Sequence, residues 1–156
     1  SAVDENDIAI LRFLTKKLGH ASAEEVMSGR GIVHIYEGLA AAKNVPSEYS
    51  DAADITSRAI ENSCSLCRET LEQFCRIMGS FAGNLALNLC TRGGVYIGGG
   101  IASRFVEFIQ QSEFRARFEA KGRFRHYVAG IPTYIITEPD HGLIGAMAYL
   151  QQHYKG

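Results

Sequence analysis

The sequence predicts a helix-rich α/β fold with few strands and one long central helix. Three observations predict it. Apolar residues recur at helical spacing through most of the chain, only two short runs have the β-branched and aromatic character of strands, and each of those runs leads into another helical stretch. With 156 residues, 46% hydrophobic content and three prolines, the chain suits a single globular domain with a real core.

The opening "DENDIAILRFLTKKLG" sets acidic residues ahead of Ile8, Leu11, Phe13, Leu14 and Leu18 and ends on basic residues and Gly19, a polarity that complements a helix dipole. In "SAEEVMSG", Ser22 with Glu25 three residues on forms a capping-box pattern for a short second helix ending at Gly29. "GIVHIYEGLAAAK" places Ile32, Ile35, Tyr36 and Leu39 on one face of a third helix. A polar loop with Pro46 follows, and Asp54 is the expected N-cap of "ITSRAIEN".

From Ser65 to Leu89 the apolar residues Leu66, Leu71, Phe74, Ile77, Met78, Phe81, Leu85 and Leu89 hold a helical period well beyond the usual helix length, which predicts the central helix. Gly79, Ala82, Gly83 and Ala86 form a small-residue stripe within it. Each such glycine costs about 1 kcal/mol of helix propensity relative to alanine, so the stripe predicts close approach of another element or a kink. Val95, Tyr96 and Ile97 read as a strand, the glycines after them as a turn, and "IASRFVEFIQ" as a helix starting near Ile101. "SEFRARFEAKG" and "FRHYVAGI" read as helical, residues 133 to 137 as a second strand, and "GLIGAMAYLQQHY" as a terminal helix. Two strand-then-helix units separated by helices imply a parallel pair. Two parallel strands do not make a complete covered sheet, so the chain is expected to be the back half of a larger α/β protein, an expectation its acidic start without methionine suits.

Sixteen Lys and Arg against 17 Asp and Glu leave a formal charge of −1, which argues against a nucleic-acid footprint or a polybasic membrane patch. The local basic run "FRARFEAKGRFRH" reads as a solvated amphipathic helix. No apolar stretch reaches the roughly 18 to 20 residues that cross a bilayer, and the start lacks the basic residues of a secretion signal, so a cytoplasmic protein is expected. Cys64, Cys67, Cys75 and Cys90 lie in one helical region and its end. "CSLC" has no second CxxC, no nearby histidine and no preceding strand, which favours buried free thiols in a reducing compartment over zinc or a disulfide framework.

"GGVYIGGGIASRF" crowds five glycines around one strand. Bare backbone between a strand and a helix can bend through positive φ and lets a flat ligand lie against the peptide planes. A dinucleotide fingerprint fails on spacing, because after Gly98 and Gly100 the third glycine would fall at Ser103.

Taken together, "SAEEVMSGRGIVHIYEGL", "CSLCRETLEQFCRIMGSFAGNLALNL", "GGVYIGGGIASRFVEFI", "FRARFEAKGRF", "IPTYIIT" and "HGLIGAMAYLQ" resemble, in unbroken order over nearly the whole chain, the C-terminal part of the bacterial glucokinases, members of the actin, hexokinase and heat-shock ATPase superfamily. The resemblance implies the C-terminal portion of a ribonuclease H-like, actin-like ATPase fold. Residues 1–137 would be part of the large C-terminal domain, and residues 138–156 a terminal helix that returns to a small N-terminal domain. It also implies ATP-dependent phosphoryl transfer to the glucose 6-hydroxyl, with Mg2+, in the full-length protein.

By the same resemblance, Gly98, Gly99, Gly100 and Ile101 would contact the adenosine of ATP. Glu24 would accept hydrogen bonds from glucose hydroxyls, a role that suits a carboxylate because it offers only acceptors. Read from the residues alone, Glu24 is a surface first-turn glutamate, Glu25 is structural, and His20 is a helix-end or loop residue. The catalytic aspartate and the phosphate loops would precede this segment, so no catalytic or metal residue is assigned and the segment is expected to be inactive alone.

The related repressor and open-reading-frame kinases carry a zinc-binding run of cysteines before the matching glutamate. Here "TKKLGHASAE" has none, and structural zinc is not expected. "HGLIGAMAYL" resembles the second connecting motif, with Gly142, Gly145, Ala146 and Ala148 as its smooth face. The expected partners are glucose, ATP, the N-terminal half of the same polypeptide, and a second copy paired through the long and terminal helices, the last helix being the element to swap. A second function class stays open at this point: a sugar-sensing or dimerisation module of a transcription factor, which an upstream DNA-binding region would favour. Glu24 and the intact glycine triplet favour the enzyme.

Overall fold

The computed structural model describes residues 2–154. Helix α1 (Glu5–Leu18) starts at Asp4, whose carboxylate accepts from the Asp7 N–H at 2.8 Å, and stops at Gly19, where φ of 80° ends the helical path. The capping box at Ser22 does not form. Helix α2 (Glu24–Met27) is a single turn whose cap position is Ala23, in helical geometry and without a side-chain bond. The chain turns at Ser28 instead, where the backbone is extended and the hydroxyl accepts from the Gly31 N–H at 3.0 Å. Ser28 therefore caps α3 (Gly29–Ala42), which begins two residues before its expected start. Glu25 does not reach back to a cap either. Its carboxylate and its carbonyl oxygen lie 3.2 and 2.9 Å from Nδ1 of buried His34, and two acceptors facing one nitrogen make that nitrogen the donor.

The cap of α4 (Ala52–Ile60) is Asp51, not Asp54. Asp51 has extended backbone and accepts from the N–H groups of Ala53 and Asp54 at 2.9 and 3.0 Å. Ala52 and Ala53 are strong helix formers and extend the helix backwards, which leaves Asp54 in the first turn, paired with Arg58 at 2.9 Å.

The central helix α5 (Ser65–Asn88) has 24 residues and buries Leu71, Phe74, Cys75, Met78, Ala82 and Ala86. Phe81, Leu85 and Leu89, on the same expected apolar period, are exposed. The small-residue stripe has the predicted cause. Helix α7 (Phe114–Glu119) crosses so closely that a Cβ on Gly79 would overlap the Phe114 carbonyl, and one on Gly83 the Phe118 carbonyl. Between α5 and α7, α6 (Val106–Gln111) is shorter than the helix expected from Ile101. Ala102–Arg104 form a 3-10 turn, and Phe105, at φ −140° and ψ 46°, interrupts the helix. Phe105 is buried edge-on against Phe74 at 6.0 Å, so packing overrides local propensity there. Helix α8 (Arg125–Ala129) follows α7.

The basic run over 114–126 is only partly a solvated face, with Arg123, Arg125 and His126 exposed and the residues before them tied down. Arg117, with 12% of its side chain exposed, donates to Asp4 at 2.9 Å, Asp7 at 2.6 Å and Ser80 at 3.0 Å, while Gln73 donates to Asp7 at 2.6 Å. Arg115 donates to the carbonyls of Ile131 and Ala129, both at 2.8 Å, and Lys121 to that of Ser80 at 2.9 Å. Their positions across from acceptors on distant elements, rather than their sequence spacing, decide this. Burial raises the Asp4 carboxyl, but the Asp7 N–H, Arg117 and Gln73 outweigh it and hold the group below its ordinary 3.8. Burial, helped by Arg117, lowers the Lys121 ammonium. Among the described residues no buried side-chain nitrogen or oxygen lacks a partner.

The thiols also depart from one expectation. Cys67 and Cys75 are buried and Cys64 half-buried, but Cys90 is exposed just past the end of α5. Strand β1 (Val95–Ile97) pairs in parallel with β2 (Thr133–Ile135), in the register Val95 to Thr133, Tyr96 to Tyr134 and Ile97 to Ile135. Ile97 and Ile135 face the core, whereas Tyr96 and Tyr134 stack at 5.0 Å on the outer face. Helix α9 (His141–His153) closes the described chain.

Candidate functional site

Because the two strands are parallel, their carboxyl ends lie on one side. β1 ends in the turn Gly98–Gly100, and β2 ends in the loop that enters α9. In open α/β sheets that edge is where ligands sit, since the turns there expose backbone amides and little side-chain bulk. The three glycines are solvent-exposed. Gly99 adopts φ of 114°, which a side chain would strain, and its carbonyl accepts from the Ser103 hydroxyl at 3.4 Å. A Cβ on Gly98 would meet Nε2 of His141 at 3.2 Å, so the start of α9 stands beside the turn. His141 is fixed there by its Nδ1, 2.8 Å from the Glu138 carbonyl. No neighbour lies near Gly100.

Ile101, the residue after the glycines, is partly buried and lines a cleft of about 180 Å³. Gly29 and Ile32 of α3 form one wall, Thr56 and Ile60 of α4 another, and Arg104 and Phe105 close it. The glycine turn is thus followed along the chain by a residue that lines a small, mostly apolar recess between α3 and α4, while the three glycines themselves stay outside its lining. Glu24 is exposed on α2 and lines neither this cleft nor the larger one of about 490 Å³ bounded by Ile10, Leu14, Val26, Phe81 and Leu85. Helix α3, which follows α2 directly, contributes Gly29 to the recess. His20 is exposed between α1 and α2. Among the described residues, no three His, Cys, Asp or Glu side chains converge as a metal would require.

Sequence reasoning missed His141 and the α4 wall. Only the order of the strands could have suggested His141. Thr56 and Ile60 carry no signal, because their closeness to Ile101 is tertiary.

A family model described as Glucokinase matches residues 1–153. The chain belongs to the glucokinase family. It is 49% identical over 152 residues to a glucokinase of Erwinia tasmaniensis and 52% identical over 148 residues to one of Yersinia pestis, alignments that cover 97% and 95% of this chain but only 47% and 46% of those proteins. A crystal structure of a glucokinase from an Antarctic psychrotroph superposes with a TM-score of 0.90 at 39% identity, over 97% of this chain and 47% of that one. The chain therefore spans about half the length of the glucokinases it matches. The expected fold, a helix-rich α/β C-terminal portion of an actin-like ATPase fold with a long central helix, is the one found. Among the described residues no helix is long and apolar enough to cross a membrane.

Proposed function

We propose that this chain is the C-terminal portion of a cytoplasmic ATP-dependent glucokinase, which transfers a phosphoryl group from ATP to the 6-hydroxyl of glucose. On this reading Gly98, Gly99 and Gly100 lie against the ribose and adenine, and Ile101 forms the apolar wall of the purine seat. Glu24 accepts hydrogen bonds from sugar hydroxyls brought to it when the other lobe closes. Phosphoryl transfer depends on positioning and charge stabilisation more than on covalent chemistry by the protein. The share of this chain is therefore to hold the nucleoside and one side of the sugar. The base for the attacking hydroxyl and the phosphate loops belong to the other half of the family's length. Mg2+ belongs to the whole enzyme.

Residues 1–137 are proposed as part of the large domain and residues 138–156 as the helix returning to the small one, with residues 1, 155 and 156 outside those described. A homodimer pairing α5 and α9 belongs to the same proposal, as does inactivity of the chain by itself.

The observation that carries the reading is the exposed glycine turn at the carboxyl end of β1, opening beside the Ile101 recess, in a chain of this family. The test uses a non-hydrolysable ATP analogue titrated by calorimetry. Gly100→Val meets open space, so it should leave the thermal midpoint within about 2 °C while weakening the analogue at least about tenfold by filling the seat, a loss of about 1.4 kcal/mol. Equal affinity in both proteins would reject the nucleoside seat. Adding the N-terminal half of a family member should restore glucose-dependent ADP release, and its absence with every hexose would reject the kinase.

A further inference from the structure

We propose that Cys64 and Cys67 form a reversible oxidation site, in which Cys64 meets a small disulfide oxidant and Cys67 closes the intramolecular bond. Cys64 is the N-cap of the 24-residue helix α5, in extended backbone, and its sulfur accepts from the Cys67 N–H at 3.5 Å. The Cys67 N–H thus faces the Cys64 sulfur, and the first turn of α5 brings the two residues together. The N-cap and the third helical residue share one face, and that geometry brings a CxxC pair into bonding range.

The two thiols differ in access. Cys64 is partly exposed and flanked by exposed Glu61, Asn62, Ser63 and Ser65, whereas Cys67 is fully buried. Burial pushes the Cys67 thiol up to about 12, which suits a thiol that waits as the second partner. Arg58, paired with Asp54 at 2.9 Å, stands beside Cys67, so its positive charge is partly balanced there. Its guanidinium stacks on Tyr49 at 4.3 Å, and its carbonyl receives the Ser63 N–H at 3.0 Å, tying it to the loop that presents Cys64. The molecule carries its own controls. Cys75 is buried and likewise pushed up to about 12 by burial, and Cys90 is exposed beyond the far end of α5.

The chemistry balances with oxidised glutathione. The Cys64 thiolate attacks one glutathione sulfur, forms a mixed disulfide and expels a glutathione thiolate. Cys67 gives up its proton to that thiolate or to water, attacks the Cys64 sulfur and expels the second glutathione. Two protein thiols become one disulfide, and one oxidised glutathione becomes two reduced molecules.

The reduced chain is incubated with oxidised glutathione, quenched in acid, alkylated and mapped by peptide mass. The peptide holding both cysteines should lose two hydrogens, Cys90 should carry glutathione, and Cys75 should be alkylated only after unfolding. Cys67→Ser should accumulate glutathione on Cys64. Cys64→Ser keeps a capping oxygen and should leave Cys67 reduced, with circular dichroism confirming that each variant is folded. Free Cys64 and Cys67 in wild type when Cys90 is fully modified would overturn the proposal, as would glutathione persisting on wild-type Cys64. The wild-type result stands even if Cys67→Ser fails to fold.

Discussion

The body built from α1, α3, α4, α5 and α7 holds most of the core, whereas α9 buries none of its residues and the strands leave Tyr96 and Tyr134 exposed. Even in that body Phe81 and Leu85 on α5, and Leu89 at its end, stay open. In the first region Leu14, Ile35, Leu39, Ile55 and Leu71 are 0% exposed, and the polar groups beneath them are matched to Arg117 and Gln73. In the second, Leu143 is 65% exposed, Tyr96 64% and Tyr149 59%. The difference teaches where folding energy resides. The helical body gains nearly all its burial from its own residues, at about 25 cal/mol per Å² of apolar surface. The strand and α9 region gains little and has the surface of an element built to meet something else. On the proposed reading that something is the other half of the enzyme and a second copy of the chain.

The contrast breaks most readily at Arg117. Arg117→Ala would strand the buried Asp7 carboxylate without its ion partner, and should cost about 3 to 5 kcal/mol in urea denaturation. A loss under 1 kcal/mol would mean that the body does not depend on this cluster.

Acid attacks the same place. Asp4 has its folded-state pKa depressed, so its stabilisation is present above the unfolded value near 3.8 and is lost as pH falls through the lower folded value. The thermal midpoint should therefore fall below about pH 4, and Asp4→Asn should flatten that limb. An unchanged limb in Asp4→Asn would place the acid-sensitive group elsewhere.

A smaller effect separates two aspartates. Asp51→Ala should cost about 1 kcal/mol as a lost helix cap, whereas Asp54→Ala should cost about 0.5 kcal/mol or less, since it breaks a half-exposed pair with Arg58. The reverse order would restore Asp54 as the cap.

The smallest change belongs to the open region. Leu143→Ser in α9 should alter the stability of the isolated chain by no more than about 0.5 kcal/mol. Sedimentation of the same variant sharpens the comparison, because α9 paired with a second copy would show a shift toward monomer. Unchanged association would remove α9 from the proposed dimer.

Much of the fold was legible in the sequence because the signals were local and repeated. The periodicity of α5 and the polarity of α1 report on neighbours three or four residues away, the β-forming runs at 95 and 133 on adjacent and alternate ones, and the elements formed there. The stripe at Gly79 and Gly83 announced a close crossing but not its partner, α7. Caps were harder to read. Ser22 and Asp54 satisfy the sequence pattern as well as Ser28 and Asp51 do, and the choice turns on which residue the packed chain holds extended. Of the candidate site, the glycine turn was legible in the residues themselves, while Ile101 and Glu24 stood out as site residues only through family resemblance. His141 and the α4 wall were not legible, since neither has a local signature.

By itself the sequence determined the helix-rich class, the two parallel strands, the glycine turn after β1 and the family. Propensity and spacing act between residues close along the chain, and family likeness lies in the order of the letters. Only the tertiary structure decided that Arg117 is buried between two aspartates, that Phe105 interrupts a helix, and that Ile101 faces α4. Those outcomes depend on which distant surfaces fill one another's space and which charges must then find a partner.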